Sequence, residues 1–374
     1  MARILYFSRD YTTHDYRFLS ALAKTDHEVA FLQLERHGHN LDDRPLPPDI
    51  LLIPWVGGLS AARLKDGPKL LVALRKVIRN FKPDIVQAGP IQRSAFLVAL
   101  SGFRPLVTMS WGYDLLHDVK NGRAWEWATR YTLKRTSAFV GDCHTIRNLA
   151  IQYGMDAERI ITFPWGANVQ KYSPVSNKAQ VVVRQRLGWD EGAFVLLSTR
   201  GWESIYGVDD LARAFVRTAR QHPELRLFML GNGSLAPTIR QIFQRGGVME
   251  QVHYPGQVSQ EKLPDYYQAA DLYISTSHSD GTSISLLEAL ASGTPVLISD
   301  IPGNQEWISG PGEVGWLFKD GDVESLTNGI LHAIKNREQL PTMGQAARKL
   351  AEIRGNWEQN FPKLFQAYEI ALST

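Results

Sequence analysis

Cysteine is almost absent from this chain, because Cys143 is the single one in 374 residues. One cysteine excludes a disulfide framework and a cysteine-based zinc site, and a reducing cytosol suits such a chain. The apolar runs, such as "SAFLVALSGF", are far shorter than a membrane span. No secretory leader precedes the first strand-like segment, "RILYFS", so we expect a cytoplasmic location. The net charge of +3 is too small to indicate a nucleic-acid partner.

The sequence also lacks the acidic pairs that hold a metal-bound nucleotide. No Asp-x-Asp follows a strand-like segment; Asp42 and Asp43 lie in the proline-rich "HNLDDRPLPP", and Asp209 and Asp210 open a predicted helix. No spacing of histidine and glutamate is typical of zinc. We therefore expect neither a metal nor a resident cofactor.

What the chain does contain is a regular alternation of strand-like and helical segments. "RILYFS", "EVAFLQL" and "DIVQAG" are strand-like, and the pattern restarts at "AFVLLSTRG", "LRLFMLGNG" and "DLYISTS". This alternation indicates parallel strands with crossover helices. It predicts an α/β fold of two Rossmann-like open parallel-sheet domains facing a cleft. The polar stretch "PVSNKAQ" suggests domains at residues 1–177 and 178–355.

Ligands of open α/β sheets bind beyond the carboxyl ends of the strands, so the loop after "DLYISTS" is informative. It continues as "HSDGTSISLLEALASGTPVLISD", with Asp280 before a helix predicted to begin near Ser283 and Glu288 more than one turn inside it. The first turn of a helix offers free N–H groups to an anion, Gly281 allows close approach, and Thr282 or Ser283 can cap. Carboxylates suit sugar hydroxyls. Each acidic residue alone is explained by helix capping or solvation; together they favour a binding site.

The segment "SDGTSISLLEALASGTPVLISDIPGNQEWI" resembles the donor-site signature of the retaining glycosyltransferases of the GT-B fold, in their family four. That signature has two acidic residues with seven residues between them, followed by a small-Gly-x-Pro-Val run. The resemblance covers nearly the whole chain. It implies that Glu288 binds the nucleotide ribose and that Asp280, where the family usually has Glu, holds hydroxyls of the transferred sugar. It also implies that backbone N–H groups line the diphosphate and sugar at Thr282, Ser283, Ile284 and Ser285.

Two further segments carry the resemblance on the donor side. "LLSTRGWESIYGVDDLARAF" resembles the family's Arg–Lys–Gly segment: Arg200 matches the arginine, whose planar fork suits phosphate, and the uncharged Tyr206 precedes the glycine where the lysine is lacking. "LGNGSLA" is a loose dinucleotide fingerprint, but the acidic residue expected after the next strand is absent, so a nicotinamide site is not predicted. The resemblance instead implies that Gly231 borders the donor and that Val258 packs on the base.

In the first half, "LVTMSWGYDLL" aligns with the family's His-Gly-x-Asp segment. Trp111 stands where histidine is usual, and Asp114 is then the polar candidate near the sugar, although it could equally cap the next helix. Other predicted acceptor-side residues follow strands in "RDYTTHD" and "QAGPIQRS"; they are Asp10, Tyr11, His14, Gln87, Gly89 and Arg93. The last helix, "WEQNFPKLFQAYEIAL", resembles the family's final helix, which implies that residues 356–374 cross back to the first domain.

The resemblance therefore implies a retaining, metal-independent glycosyltransferase with Asp280, Arg200 and Asp114 as catalytic residues. It would move a hexosyl or N-acetylhexosaminyl group from a UDP- or GDP-linked donor to a glycan or a lipid-linked cell-envelope precursor. A helix terminus and an arginine can stabilise the leaving diphosphate by preorganised electrostatics. Two alternatives stay open: a related phosphorylase or sucrose-type synthase, and a non-catalytic nucleotide-sugar or glycan binder.

The helical segment "PKLLVALRKVIRNFKP" suggests a membrane partner. Its basic residues lie opposite its apolar stripe, and the nearby "IPWVGGLSAARL" carries Trp55, Val56 and Leu59. Such a face can rest on an anionic bilayer, at about 1 kcal/mol for each basic residue near the surface. The alternative is a basic face that is simply solvated. The basic residues concerned are Arg75, Lys76, Arg79 and Lys82.

Overall fold

A computed structural model of the chain describes residues 1–36, 42–175, 177–186, 188–190, 192–308 and 313–374. The chain divides into two compact units, residues 1–163 with 361–374 and residues 164–360. The predicted division after residue 177 falls later in the chain than this one. The reason is a pair of backbone hydrogen bonds, from Ala167 N to Gly355 O at 2.7 Å and from Trp357 N to Ala167 O at 3.0 Å. They tie the segment after residue 163 to the end of the second unit.

The first unit is built on a parallel sheet. Within the described residues its order is β3-β2-β1-β4-β5-β6-β7. The two-residue edge strand β3 was not predicted from the sequence. The strands are β1 Arg3–Ser8, β2 Glu28–Gln33, β3 Leu51–Leu52, β4 Ile85–Gly89, β5 Leu106–Met109, β6 Ala138–Gly141 and β7 Ile160–Thr162.

Helices cover this sheet. The predicted amphipathic helix is confirmed as α2, which buries Leu70, Leu74 and Phe81 on one stripe against the sheet. A π-helical turn, Ile91–Ala95, precedes α3. The helices are α1 Thr13–Leu22, α2 Gly67–Phe81, α3 Phe96–Ser101, α4 Tyr113–Leu116, α5 Arg123–Arg135 and α6 His144–Gln152.

The second unit has a parallel sheet of its own, with the order β10-β9-β8-β11-β12-β13 among the described residues. The strand order reverses between β8 and β11, which creates a switch point where their carboxyl ends open a crevice for ligands. The strands are β8 Phe194–Ser198, β9 Leu225–Met229, β10 Val252–His253, β11 Leu272–Ser275, β12 Val296–Ser299 and β13 Gly315–Phe318.

Every residue of β8, β11 and β12 is buried, which explains why these strands are continuous apolar runs rather than alternating ones. Helices supply the burial on the two faces. They are α7 Asn177–Arg186, α8 Val208–Ala219, α9 Ala236–Gly246, α10 Leu263–Ala269, α11 Ile284–Ala291, α12 Pro302–Gln305, α13 Val323–Lys335, α14 Leu340–Arg354 and α15 Trp357–Asn360.

The C-terminal segment differs from its prediction as one helix. It is split into α15 and α16, Lys363–Leu372, because Pro362 has no N–H to donate and its ring would clash with the preceding turn of a continuous helix. Helix α16 packs against β4, β5, β6 and β7 of the first unit. None of the helices in the described part of the chain is long and apolar enough to traverse a lipid bilayer.

Candidate functional site

Helix α11 starts at the carboxyl end of β11, at the switch point of the second sheet. Ser283 is its N-cap residue, so the predicted start near Ser283 is confirmed. Ser283 does not form the predicted side-chain cap; its hydroxyl accepts a hydrogen bond from Nη1 of Arg200 at 2.7 Å instead. The side chain of the N-cap residue therefore accepts no hydrogen bond from the first-turn N–H groups of α11. These N–H groups and the positive end of the helix dipole favour an anion there.

Arg200, in the loop after β8, is the centre of this site. Its Nη2 donates to Oδ2 of Asp280 at 2.6 Å, and its Nη1 also donates to Oγ of Ser285 at 3.2 Å. The guanidinium carbon lies 4.2 Å from the centroid of the Tyr206 ring, a cation–π contact. Burial lowers the pKa of Arg200, but the Asp280 carboxylate and neighbouring phenols outweigh it and raise the pKa. The side chain is 12% exposed, and its buried Nε has no hydrogen-bond partner among the described residues.

Glu288 is held one turn further along α11. The hydroxyl of Tyr267 donates to Oε2 of Glu288 at 2.9 Å and lies 3.1 Å from Oγ1 of Thr199. Because a phenol has one hydrogen, Thr199 must donate to Tyr267. Burial, followed by the charge of Glu288, raises the pKa of Tyr267 well above its usual value. Glu288 is itself buried. The solvated helix position considered as an alternative for Glu288 is therefore excluded.

Gly303 packs against the backbone of Asp280 and Gly281 and so sets the position of these two residues. A Cβ added to Gly303, at the start of α12, would lie 2.6 Å from the carbonyl oxygen of Asp280 and would clash with that of Gly281. Only glycine fits so close to this peptide. Sequence reasoning missed Gly303, although it lies inside the segment that carries the resemblance. It also missed Tyr267 and Tyr273, whose hydroxyl donates to Oγ of Ser285 at 2.9 Å.

The two other predicted donor residues have packing roles. Gly231 has φ +104°, and a Cβ there would lie 2.7 Å from the carbonyl oxygen of Arg200, so the turn passes directly against the Arg200 backbone. Val258 is partly buried and packs against the core of the second unit. Gly231 therefore supports the loop that carries Arg200.

In the first unit, two predicted acceptor-side residues meet. The rings of His14 and Trp111 stack with their centroids 5.4 Å apart and an interplanar angle of 28°. Tyr11 donates to the carbonyl oxygen of Pro45 at 3.3 Å, and burial, followed by the charge of Asp42, raises its pKa to about 12. Asp10 is buried.

Asp114 is engaged inside the fold. Its carboxylate accepts from Oγ of Ser110 at 2.5 Å and from the backbone N–H of Ile91 at 3.0 Å, and burial raises its pKa to about 6. It is not the N-cap of α4, because Gly112 occupies that position. The catalytic role predicted for Asp114 draws no support from these contacts, which join the loops after β4 and β5.

The residues predicted at the end of β4 and just after it also have contacts inside the fold. Gln87 is buried and accepts a hydrogen bond from the hydroxyl of Tyr368 on α16, so its contacts serve packing rather than an acceptor. A Cβ on Gly89 would meet the backbone of Met109. The guanidinium of Arg93 lies 5.3 Å from the ring centroid of Trp125. In the described ranges, no group of three or more His, Cys, Asp or Glu side chains is arranged to hold a metal ion.

The family follows from matches along both units. A family model of "Glycosyl transferases group 1" matches residues 182–350, and one of "Glycosyltransferase Family 4" matches residues 12–171. The chain belongs to the group 1 glycosyltransferases. A D-inositol 3-phosphate glycosyltransferase of Nocardia farcinica is 28% identical over 234 residues, 60% of this chain and 51% of that protein. The chain thus spans about half the length of this curated relative.

Solved structures of other proteins share the GT-B fold of this chain. The crystal structure of Anabaena HepE in complex with UDP has a TM-score of 0.80 at 17% identity and covers 98% of this chain and 99% of its own. Its complex with UDP-glucose has a TM-score of 0.80 at 18% identity and covers 99% and 100%. A sucrose-phosphate synthase of Thermosynechococcus elongatus has a TM-score of 0.80 at 18% identity and covers 99% and 98%.

Proposed function

We propose that this group 1 glycosyltransferase moves a sugar from a nucleotide-sugar donor to a hydroxyl acceptor with retention of the anomeric configuration. The observation that carries the proposal is the arrangement at the start of α11. A buried guanidinium, with an Nε–H that no described residue accepts, lies beside a helix N-terminus that its N-cap side chain does not satisfy. Both features stabilise the two phosphates of such a donor. The HepE complexes support UDP as the first nucleotide to test, and GDP is the second.

The remaining donor contacts follow from this placement. Glu288 accepts hydrogen bonds from the ribose, and Tyr267 fixes its carboxylate through the bond at 2.9 Å. Asp280 accepts from hydroxyls of the transferred sugar. Gly281 permits a close approach of the diphosphate. The backbone N–H groups of Thr282, Ser283, Ile284 and Ser285 complete the anion site.

The chemistry proceeds by same-face displacement. The bond between the anomeric carbon and the diphosphate oxygen breaks, the acceptor oxygen bonds to that carbon, and the acceptor proton passes to the leaving diphosphate. A double displacement needs a carboxylate free to attack. Asp280 is bound to Arg200 at 2.6 Å, which opposes that use. Arg200 and the α11 terminus stabilise the developing charge in place of a metal ion.

We propose that the first unit supplies the acceptor contacts. The stacked rings of His14 and Trp111 suit the apolar face of a sugar ring, and Tyr11, Asp10 and Arg93 provide polar groups beyond the ends of the neighbouring strands β1 and β4. A glycan or a lipid-linked cell-envelope precursor fits this combination.

We also propose peripheral contact of the first unit with the cytoplasmic face of the membrane through α2. This helix contains no acidic residue, and Arg75, Lys76 and Arg79 are exposed on it. Val72 is 69% exposed and Leu59 is 84% exposed, so apolar groups accompany the charges. Trp55 does not join them, because its Nε1 donates to the carbonyl oxygen of Gln33 at 2.7 Å.

The test is donor turnover. The chain is incubated with UDP-glucose, UDP-N-acetylglucosamine or GDP-mannose, and release of the nucleoside diphosphate is followed with and without EDTA. Release from one donor, unaffected by EDTA and reduced at least about 100-fold in Arg200→Ala, is expected, because preorganised donors are worth that much in turnover. The coupling constant of the anomeric proton in the product reports retention.

Other outcomes identify the alternatives. Binding without turnover of any donor would favour a non-catalytic binder, and turnover that requires inorganic phosphate would favour a phosphorylase. Activity lost with EDTA and restored by Mg²⁺ or Mn²⁺ would contradict metal independence.

A further inference from the structure

Two charged side chains of the proposed donor site, Arg200 and Asp280, are paired with each other. Nη2 of Arg200 lies 2.6 Å from Oδ2 of Asp280, and the two side chains are only 12% and 22% exposed. An ion pair at this depth is weakly screened by salt and solvent. The carboxylate of Asp280 therefore repels an anion at the same place where the guanidinium of Arg200 attracts it.

The side chains that contact Arg200 beside Asp280 add no further charge. Tyr206 stacks on the guanidinium at 4.2 Å but adds no charge, and Ser283 and Ser285 contribute only neutral hydroxyls. Asp280 is also one methylene shorter than a glutamate. Its bond to Arg200 at 2.6 Å holds the carboxylate close to the place where Arg200 and the α11 terminus would receive a diphosphate.

The donor and the product differ in the two properties to which such a carboxylate responds. A sugar on the terminal phosphate removes about one negative charge at neutral pH, because a monoester phosphate carries about −1.5 to −2. The sugar also brings hydroxyls that donate hydrogen bonds to a carboxylate. The free nucleoside diphosphate has the extra charge and lacks the hydroxyls.

We propose that Asp280, through its ion pair with Arg200, sets the preference of the site for the sugar-bearing donor over the free nucleoside diphosphate, and so favours release of that product. This inference rests on the proposed donor site. It assigns to Asp280 a role in discriminating donor from product, in addition to contact with the sugar. The preference is the ratio of the dissociation constant of the nucleoside diphosphate to that of the nucleotide sugar.

The experiment is calorimetric titration of the unaltered chain and of Asp280→Asn with a nucleoside diphosphate and its nucleotide sugar. The unaltered chain is first titrated with UDP and UDP-glucose and with GDP and GDP-mannose, and the nucleotide series that it binds is used for the variant. A single charge a few ångströms away in a partly buried site changes affinity by about three- to tenfold. We expect Asp280→Asn to bind the nucleoside diphosphate about three- to tenfold more tightly. We expect it to bind the nucleotide sugar no more tightly, so the ratio falls.

The matched control is Asp190→Asn. It removes the same charge from an exposed residue just before the amino end of β8, at the edge of the sheet opposite the site, and should leave the ratio unchanged. Thermal unfolding of both variants checks that they are folded. If Asp280→Asn is not folded, Asp280→Ala is used in its place.

The outcomes separate this inference from the proposed function. An unchanged ratio, or weaker binding of the nucleoside diphosphate, in a folded Asp280 variant overturns the discrimination role while leaving the donor site intact. If the unaltered chain binds none of the four nucleotides, the proposed function fails and this inference fails with it.

Discussion

Tyr267 donates its phenolic hydrogen to Oε2 of Glu288 at 2.9 Å, from a position 21 residues earlier in the chain. Thr199 lies 3.1 Å from the same phenolic oxygen, so the carboxylate, the phenol and the threonine form one chain of hydrogen bonds. These two hydrogen bonds link the end of β8 to α10 and α10 to α11. It fixes the carboxylate to which we assign the ribose.

Glu288→Ala should raise the dissociation constant of the nucleotide at least about tenfold, because a hydrogen bond to a charged group is worth about 1.5–3 kcal/mol. Tyr267→Phe should raise it about fivefold, because it removes one positioning bond worth about 1 kcal/mol. Calorimetry with UDP or GDP measures both. Tyr254→Phe is the control, because it removes a phenolic hydroxyl whose hydrogen bond, to the sulfur of Met249 at 3.9 Å, lies outside the proposed site.

The double variant tests whether Tyr267 acts through Glu288. In a Glu288→Ala background, Tyr267→Phe should have little further effect, since coupled residues are not additive. Additive losses, or unchanged nucleotide affinity in Glu288→Ala, would contradict the ribose assignment.

Gly303→Ala should lower donor turnover by at least about tenfold. The added methyl group would lie 2.6 Å from the carbonyl oxygen of Asp280 and must displace the peptide that holds Asp280 and Gly281. A shift of about 1 Å at a reacting centre is enough for such a loss. Gly67→Ala at the start of α2 is the control, because a Cβ there meets no atom within 4 Å. Equal turnover of the two variants would show that the close contact is unimportant for the site.

The alternation of segments was sufficient to predict the two α/β units and α2, because both depend on local periodicity. The start of α11 followed from the cap residues near Ser283. The two-residue strand β3 has too few residues to show a period, and the longer helices α5, α6, α7 and α14 were also missed.

Long-range pairs in the site were beyond the reach of such patterns. Arg200 and Asp280 are 80 residues apart, and each was identified by its own segment. Their ion pair depends on β8 and β11 being neighbours, which no local pattern specifies. Gln87 and Asp114 were predicted from loops after strands, but their side chains turn into the fold and bond there.

Stability should depend on pH through Asp15 in the first unit. Burial raises the pKa of Asp15 to about 6 from its ordinary value of 3.8. The folded state therefore holds this proton more tightly than the unfolded state, and the associated stability is complete below pH 3.8 and is lost as pH rises through about 6. The loss is on the order of 3 kcal/mol, at about 1.4 kcal/mol per pKa unit.

Urea unfolding of the unaltered chain and of Asp15→Asn between pH 4 and pH 7 measures this dependence. The difference in the free energy of unfolding should change in favour of the variant as pH rises, because asparagine does not titrate. A difference that is constant over the whole range would show that Asp15 titrates normally.

Membrane association should depend on α2. Flotation with vesicles containing anionic lipid at low salt should recover the chain, and replacement of Arg75, Lys76, Arg79 and Lys82 by glutamine should abolish recovery. The matched control replaces four exposed basic residues of the second unit, Arg220, Lys335, Arg337 and Lys349. No flotation at low salt, or equal loss in the two variants, would contradict the proposed contact.

The central claim is that Arg200, Glu288 and the start of α11 form a nucleotide-sugar site, and a crystal structure with bound UDP or GDP tests it most directly. We expect the diphosphate within hydrogen-bond distance of the Arg200 guanidinium and of the N–H groups at Ser283 and Ile284, and the ribose hydroxyls on the carboxylate of Glu288. A nucleotide bound elsewhere, or bound with its diphosphate directed away from Arg200, would contradict the account.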